Sequence, residues 1–186
     1  MQRYIALLGG INVGGHRVKM AHLRALFEAL GFEQVETLIA SGNVIFETPA
    51  SDPSALETQI EQHLHEALGY KVPTFIRSSE ELTAIAAYQP FPDAGAYHTL
   101  SIMFMADTLP DDAQQTFQAF HTPNDEFHIH HREIYWLCRT KTSDSLVDWK
   151  RLGKTLPLPP MTVRNATTVR KLAEKYGLKS REGSPG

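Results

Sequence analysis

The sequence predicts an α+β protein. Its first half has the ferredoxin-like order strand, helix, strand, strand, helix, strand, and a second α+β half, related to the first or truncated, follows. Two observations support this prediction. Short apolar or alternating runs, typical of strands, are interspersed with longer segments whose apolar residues recur every three or four positions, as on one face of a helix. Glycine and proline separate most of these segments and mark their boundaries.

Three strands and a helix open the chain. Residues 3–8 form a short apolar run, which predicts a buried strand, and residues 20–30 follow with helical periodicity that stops at Gly31. Residues 33–40 alternate apolar and polar side chains, and residues 43–48 include a second apolar run. Between them, Ser41-Gly42-Asn43 is typical of a hairpin turn, so the two runs predict antiparallel strands.

A second helix and an edge strand complete the first half. Residues 53–68 carry apolar side chains at helical spacing, with Ser51 or Asp52 as the predicted N-cap. Residues 72–77 predict a strand. Pro73 favours an edge position or a strand start, because proline cannot donate a ladder hydrogen bond.

The second half repeats part of this order. Residues 79–88 predict a capped helix, and residues 89–97, with two prolines and a glycine, predict a linker. The remaining predicted elements are a strand at 98–106, a helix at 110–120 opened by Asp107 or Thr108, strands at 125–131 and 133–138, and a helix at 166–176. We therefore expect a ferredoxin-like half at residues 1–78, a second half packed on it at 79–179, and a mobile tail at 180–186.

A glycine-rich segment, residues 9–15, joins the first predicted strand to the first predicted helix. Glycine permits left-handed backbone angles and close approach of a ligand, and a helix start offers free N–H groups to an anion. The spacing matches neither the dinucleotide motif nor the P-loop, so no cofactor is predicted from it. The residues predicted to bind an anion here are Gly9, Gly10, Asn12, Gly14, Gly15 and Lys19. The alternative is a tight connection that only packs against its neighbours.

Three stretches of the chain resemble one bacterial family. Residues 4–15 followed by 18–23, then 41–46, and finally 162–172 resemble DUF1697, a domain of unknown function. The resemblance extends over nearly the whole chain and implies no particular reaction. This sequence departs from the family pattern at two positions: it has Gly9 where the family has arginine, and Ala166 where the family has tryptophan.

A second candidate anion site surrounds the start of the last predicted helix. Asn165 is its predicted N-cap, and Arg164 lies just before it, next to Thr162. We hypothesise that this helix start, the glycine-rich segment and the turn at Ser41 and Asn43 converge on one face and bind a small anionic or phosphorylated molecule. The alternative is that Asn165 only caps the helix while Arg164 pairs with a carboxylate.

Composition excludes several classes of protein. The formal charge of −3 provides no global field toward nucleic acid or an acidic membrane. No run reaches the roughly 20 apolar residues of a membrane span, and the start of the chain lacks the pattern of a secretory leader. The single cysteine, Cys138, cannot form an internal disulfide, as expected in a reducing compartment. We therefore expect a cytoplasmic protein with no membrane partner.

The remaining candidates for chemistry are weaker. His128 and His130 share one face of a predicted strand and could bind zinc with His121 or Asp125, but exposed strand histidines need no metal, and no metal is predicted. Cys138 lies in an apolar strand, which indicates an inert thiol. No acid, base or nucleophile is identified, so catalysis stays open.

Nucleic-acid binding is an alternative function. A ferredoxin-like sheet can bind RNA when aromatic side chains on its central strands stack on bases, and Tyr4 and Phe46 are the candidates here. The segment around Phe46 lacks the basic residues of that signature, so Phe46 is a better candidate for the core. A third alternative is a structural or interaction protein with no ligand.

Overall fold

The structure is a computed structural model that describes residues 1–39, 42–95 and 98–178. The predicted α+β class is confirmed. The strands are β1 (Gln2–Leu8), β2 (Glu33–Thr37), β3 (Asn43–Thr48), β4 (Thr74–Ser78), β5 (Thr99–Met105), β6 (Asp125–His130), β7 (Glu133–Cys138) and β8 (Met161–Asn165). The helices are α1 (Met20–Glu28), α2 (Pro53–Leu68), α3 (Ser79–Ala87), α4 (Asp111–Gln118), α5 (Trp149–Thr155) and α6 (Ala166–Tyr176).

The strands form two four-stranded antiparallel sheets with the same connectivity. The first has the order β2-β3-β1-β4 and the second the order β6-β7-β5-β8. Along the chain, each sheet is built from strand, helix, strand, strand, helix, strand, and one further helix follows each, α3 or α6. The two halves therefore share both their element order and their strand order.

Each sheet has a core of its own on one face. Helices α1 and α2 pack on the first sheet because Leu23 and Phe27 of α1 and Leu56, Ile60 and Leu64 of α2 recur at helical spacing and are buried. On the second sheet, α4 and α5 bury their apolar residues in the same way. Tyr4 and Phe46, at 1% and 0% exposed, lie in the first of these cores.

The opposite faces of the two sheets contribute to one shared core. It contains side chains from β1, β3 and β4, from β5 and β7, and from α3 and α6. Val169, Leu172 and Tyr176 of α6 are buried in it, as the sequence predicts for that helix. Because both faces of the first sheet are covered, its aromatic side chains are not available to stack on bases.

Several predicted boundaries needed correction. Helix α5 and strand β8 were not predicted, and Thr162 and Arg164, expected just before the last helix, lie there in β8. Asp107 and Thr108 do not open α4, because the structure places Pro110 at its N-cap with no side-chain cap bond. Asp52 is the N-cap of α2, and Asn165 caps α6 as predicted.

The strands are also shorter than predicted: β2 ends at Thr37 and β4 begins after Pro73. The expected tail at 180–186 lies outside the described residues. The division of the chain into halves is a proposal, and from the repeated order we propose that α3 belongs with the first half.

Candidate functional site

The glycine loop, residues 9–19, connects β1 to α1. Its first residue is held beside the start of β4, because the Gly9 N–H donates to the Pro73 carbonyl (2.7 Å). Asn12 closes the loop on itself, because its Oδ1 accepts from the Val18 N–H at 2.9 Å. Tyr70 holds the first half of the loop by donating to the Ile11 carbonyl (3.1 Å).

The tip of the loop is exposed and glycine-dependent. Gly14 and Gly15 follow one another with φ of 64° and 87°, angles that side-chain-bearing residues rarely adopt. Arg17 and Lys19 are exposed beside them, and neither forms an ion pair within the described part of the chain. His16 stacks on Tyr70, with ring centroids 3.8 Å apart.

Helix α1 begins without a side-chain cap. Its N-cap residue, Lys19, makes no side-chain cap bond, and its first turn contains no acidic residue. The first N–H groups of a helix have no intrahelical acceptor and carry a partial positive charge. Arg17, Lys19 and the free N–H groups of α1 therefore lie together in one exposed segment.

The second group of predicted residues forms a buried junction between the halves. We call it the Arg164 junction: Leu8, Gly42, Asn43, Thr162 and Arg164. Arg164 donates from Nε to Asn43 Oδ1 (2.7 Å), from Nη1 to Thr162 Oγ1 (2.7 Å) and from Nη2 to the carbonyls of Leu8 (2.9 Å) and Gly42 (3.4 Å). These bonds bring the end of β1, residues 42–43 and β8 together.

The Arg164 junction is an interior structure rather than a cleft. Arg164 is 7% exposed and Asn43 is fully buried. Burial lowers the pKa of the Arg164 guanidinium to about 10. All three guanidinium nitrogens donate to protein oxygens. These contacts tie β8 of the second half to β1 and β3 of the first, so Asn43, Thr162 and Arg164 serve the fold directly.

A glycine is required at the junction. Gly42 has φ of 81°, and a Cβ built there would lie 2.7 Å from Cγ2 of Ile11 in the glycine loop. Gly9, in contrast, has ordinary backbone angles, and its nearest neighbour would be the Pro73 carbonyl oxygen at 3.4 Å. The backbone at position 9 therefore accommodates a side chain.

A second junction of the same design was not predicted from the sequence. The Arg77 junction consists of Arg77, Met105, Arg132 and Glu133. Arg77 donates from Nε to Glu133 Oε1 (2.7 Å) and from Nη2 to the carbonyls of Met105 (2.8 Å) and Arg132 (3.3 Å). Burial lowers the pKa of Arg77, and the carboxylate of Glu133 opposes this shift. Here an arginine of β4, in the first half, bonds to residues of β5 and β7 in the second half.

The two junctions correspond position by position. Arg77 and Arg164 each precede the N-cap residue of the helix that follows their strand, and each donates from Nη1 to the carbonyl of the residue before it. Arg77 lies opposite Ile5 in its sheet, and Arg164 lies opposite Ile102. The signal in the sequence was an arginine at the end of an apolar strand, directly before a capped helix, once in each half.

The other predicted residues have separate places. Asn165 is exposed, and its Oδ1 accepts from the Thr167 N–H at 2.8 Å, so it caps α6. Ala166 is buried in the shared core. Ser41 lies outside the described residues. Gly10 has φ of 65° and, like Gly14 and Gly15, belongs to the glycine loop.

The histidine candidates contact Tyr88. His128 Nε2 lies 2.8 Å from the Tyr88 hydroxyl, and His130 stacks on the Tyr88 ring. Asp125 is buried and accepts from Trp136, Thr122 and Ser145. Among the described residues, no three His, Cys, Asp or Glu side chains are grouped as metal ligands. Cys138 is buried, as the sequence indicated.

The fold and its two junctions define a two-sheet α+β protein whose halves are joined by reciprocal buried arginines. Comparison with known proteins identifies its family. Residues 1–135 match DUF1697, described as a protein of unknown function, and the chain belongs to this family. No curated protein matches the sequence.

A solved structure supports the fold over nearly the whole chain. The conserved bacterial protein SP0830 from Streptococcus pneumoniae is similar to this chain with a TM-score of 0.76 and 25% sequence identity. The similarity covers 93% of this chain and 97% of that one. Within the described residues, no helix is long and apolar enough to cross a membrane.

Proposed function

We propose that the protein binds a small phosphate-bearing anion at the glycine loop. One observation carries the proposal: α1 begins without a side-chain cap or a first-turn acid, directly after an exposed loop that contains Arg17 and Lys19. Backbone N–H groups at a helix start and flanking cations are the groups that proteins use to bind phosphate. We also propose a cytoplasmic location, in keeping with a single buried, free cysteine.

The predicted binding residues then divide into two roles. Gly14, Gly15 and Lys19 are exposed and contact the ligand, with the glycines allowing close approach of the backbone. Gly9, Gly10 and Asn12 shape the loop. The Arg164 junction supports the glycine loop from beneath. Arg164 bonds to the carbonyl of Leu8, the residue before the loop, and to the carbonyl of Gly42, which lies next to Ile11 of the loop.

Lys19→Ala tests the proposal with inorganic phosphate and pyrophosphate as probes. We expect both anions to raise the melting temperature of the wild-type protein in thermal-shift titrations, because a ligand that binds the native state stabilises it. Loss of one cation at the site should weaken binding about fivefold, equivalent to about 1 kcal/mol.

The matched control is Lys154→Ala, which removes an exposed lysine from the last turn of α5. It should leave the affinity unchanged. Equal affinity of the Lys19→Ala and wild-type proteins would refute the site, and absence of any stabilisation would favour a purely structural role for the family motifs.

A variant expected to bind anions more tightly provides a second test of the proposal. Gly9→Arg introduces the arginine of the family pattern at a position whose backbone accepts a side chain. An added cation beside the loop should tighten binding of pyrophosphate. Weaker binding by Gly9→Arg, with the fold intact by circular dichroism, would contradict the proposal.

A further inference from the structure

Strand β8 is an edge strand, and its counterpart β4 shows how such an edge is protected in this fold. On the outer side of β4, the Thr74 N–H donates to Glu61 Oε1 (2.8 Å) and the Ile76 N–H donates to Glu57 Oε1 (2.7 Å). Two carboxylates of α2 thus satisfy backbone donors that would otherwise face a neighbouring strand.

The same backbone groups of β8 face outward. In the first sheet, Thr74 and Ile76 of β4 lie opposite Leu8 and Ala6 of β1. In the second sheet, Met161 and Val163 of β8 lie opposite Met105 and Met103 of β5, so they occupy the corresponding positions. In antiparallel pairs, the N–H and C=O of alternate residues point away from the partner strand.

The Val163 carbonyl lies on this outer side by the same alternation, and because a carbonyl oxygen has two lone pairs it can accept a second bond beside the one it already accepts. It accepts from Arg164 Nη1 at 3.0 Å, as the Ile76 carbonyl accepts from Arg77 Nη1. In the described part of the chain, no side chain accepts from the N–H of Met161 or Val163, in contrast to β4.

The helix that corresponds to α2 is much shorter in the second half. Helix α2 has 16 residues, whereas its counterpart α5 has 7. The segment before α5 is instead anchored at β6, where Asp125 accepts from the Ser145 hydroxyl (2.8 Å) and the Leu146 N–H (3.3 Å). Strand β6 lies at the opposite edge of the sheet from β8, so the anchored residues lie away from β8.

We propose that β8 pairs with β8 of a second copy of this chain, antiparallel about a twofold axis at Val163. In this arrangement the two Val163 residues exchange N–H···O=C bonds, Met161 faces Asn165 of the other copy, and the two four-stranded sheets become one sheet of eight strands. The proposal does not depend on anion binding at the glycine loop.

Charge and exposure favour a second copy as the occupant. A twofold contact brings each residue close to its own copy, so charged side chains at the centre would repel one another. The central residue, Val163, is uncharged and 45% exposed, and its neighbour Met161 is also uncharged. The edge therefore lacks the outward charges that keep edge strands apart.

A charge-pair experiment tests this contact. We expect wild-type protein to show a concentration-dependent monomer–dimer equilibrium in sedimentation experiments up to about 1 mM. Val163→Lys and Val163→Glu should each be monomeric, because like charges would face each other across the axis. An equimolar mixture of the two variants should form dimers again, while Val163→Thr, which is uncharged, should behave as wild type.

Two results would overturn the proposal. One is a wild-type protein that stays monomeric over the whole concentration range. The other is a dimer that Val163→Lys leaves unchanged, which would place the interface elsewhere. Since Val163 is exposed, these variants should fold, and circular dichroism checks that they do.

Discussion

Glu133→Ala should destabilise the protein more than a typical substitution. The Glu133 carboxylate accepts from Arg77 Nε at 2.7 Å, and the two side chains are only 4% and 1% exposed. Removing the carboxylate leaves a buried guanidinium without its counter-charge, and breaking a buried ion pair in this way costs about 3–5 kcal/mol. For a chain of this size, such a loss corresponds to a fall in melting temperature of roughly 10 °C.

Urea denaturation followed by far-UV circular dichroism measures this loss. The double variant Arg77→Met/Glu133→Leu is the control, because replacing both charges with apolar groups of similar size is often neutral or stabilising. We expect it to recover part of the stability that Glu133→Ala loses, because Arg77→Met also removes the donor to the carbonyls of Ile76 and Met105. A loss below about 1 kcal/mol for Glu133→Ala would show that the ion pair does not hold the halves together.

Two further substitutions, the second with a matched control, test other parts of the structure. Burial raises the pKa of Glu57, so the folded state disfavours its ionised form and stability falls as pH rises through this pKa. Glu57→Gln keeps an acceptor for the Ile76 N–H and should be more stable than wild type at pH 7. The difference in stability should vanish below about pH 4, where the wild-type carboxyl is protonated in both states. A difference that does not change with pH would contradict the raised pKa of Glu57. Gly42→Ala should cost about 2–4 kcal/mol, from backbone strain and from contact with Ile11. Gly69→Ala, at the same φ of 81° but with no neighbour within 4 Å, should cost only the strain, and equal losses would refute the contact.

Local patterns predicted the elements with strong periodicity or clear caps. Helix α2 has the predicted bounds because proline at its first position and the Asp52 cap fix its start, while Gly69 ends it. Helix α6 has its predicted bounds for a similar reason, since Asn165 caps it and its apolar residues recur at helical spacing.

Those local patterns did not predict short elements or contacts between the halves. Helix α5 has only seven residues and one fully buried residue, Leu152, so its periodicity is too brief to detect. Three partners of Arg164, namely Leu8, Gly42 and Asn43, lie more than 100 positions away, and only the packing of two sheets on a shared core brings them together. An arginine before a capped helix predicts equally well an exposed anion site and a buried junction.

Amide chemical-shift mapping tests the central claim, anion binding at the glycine loop, most directly. A titration of the isotope-labelled protein with pyrophosphate should shift the amide signals of Gly14, Gly15 and the first turn of α1 most strongly. The amides of the Arg164 junction, such as Asn43, should move little because they are buried and bonded within the fold. Unchanged signals at Gly14 and Gly15 at saturating pyrophosphate, or the largest shifts elsewhere, would contradict the account.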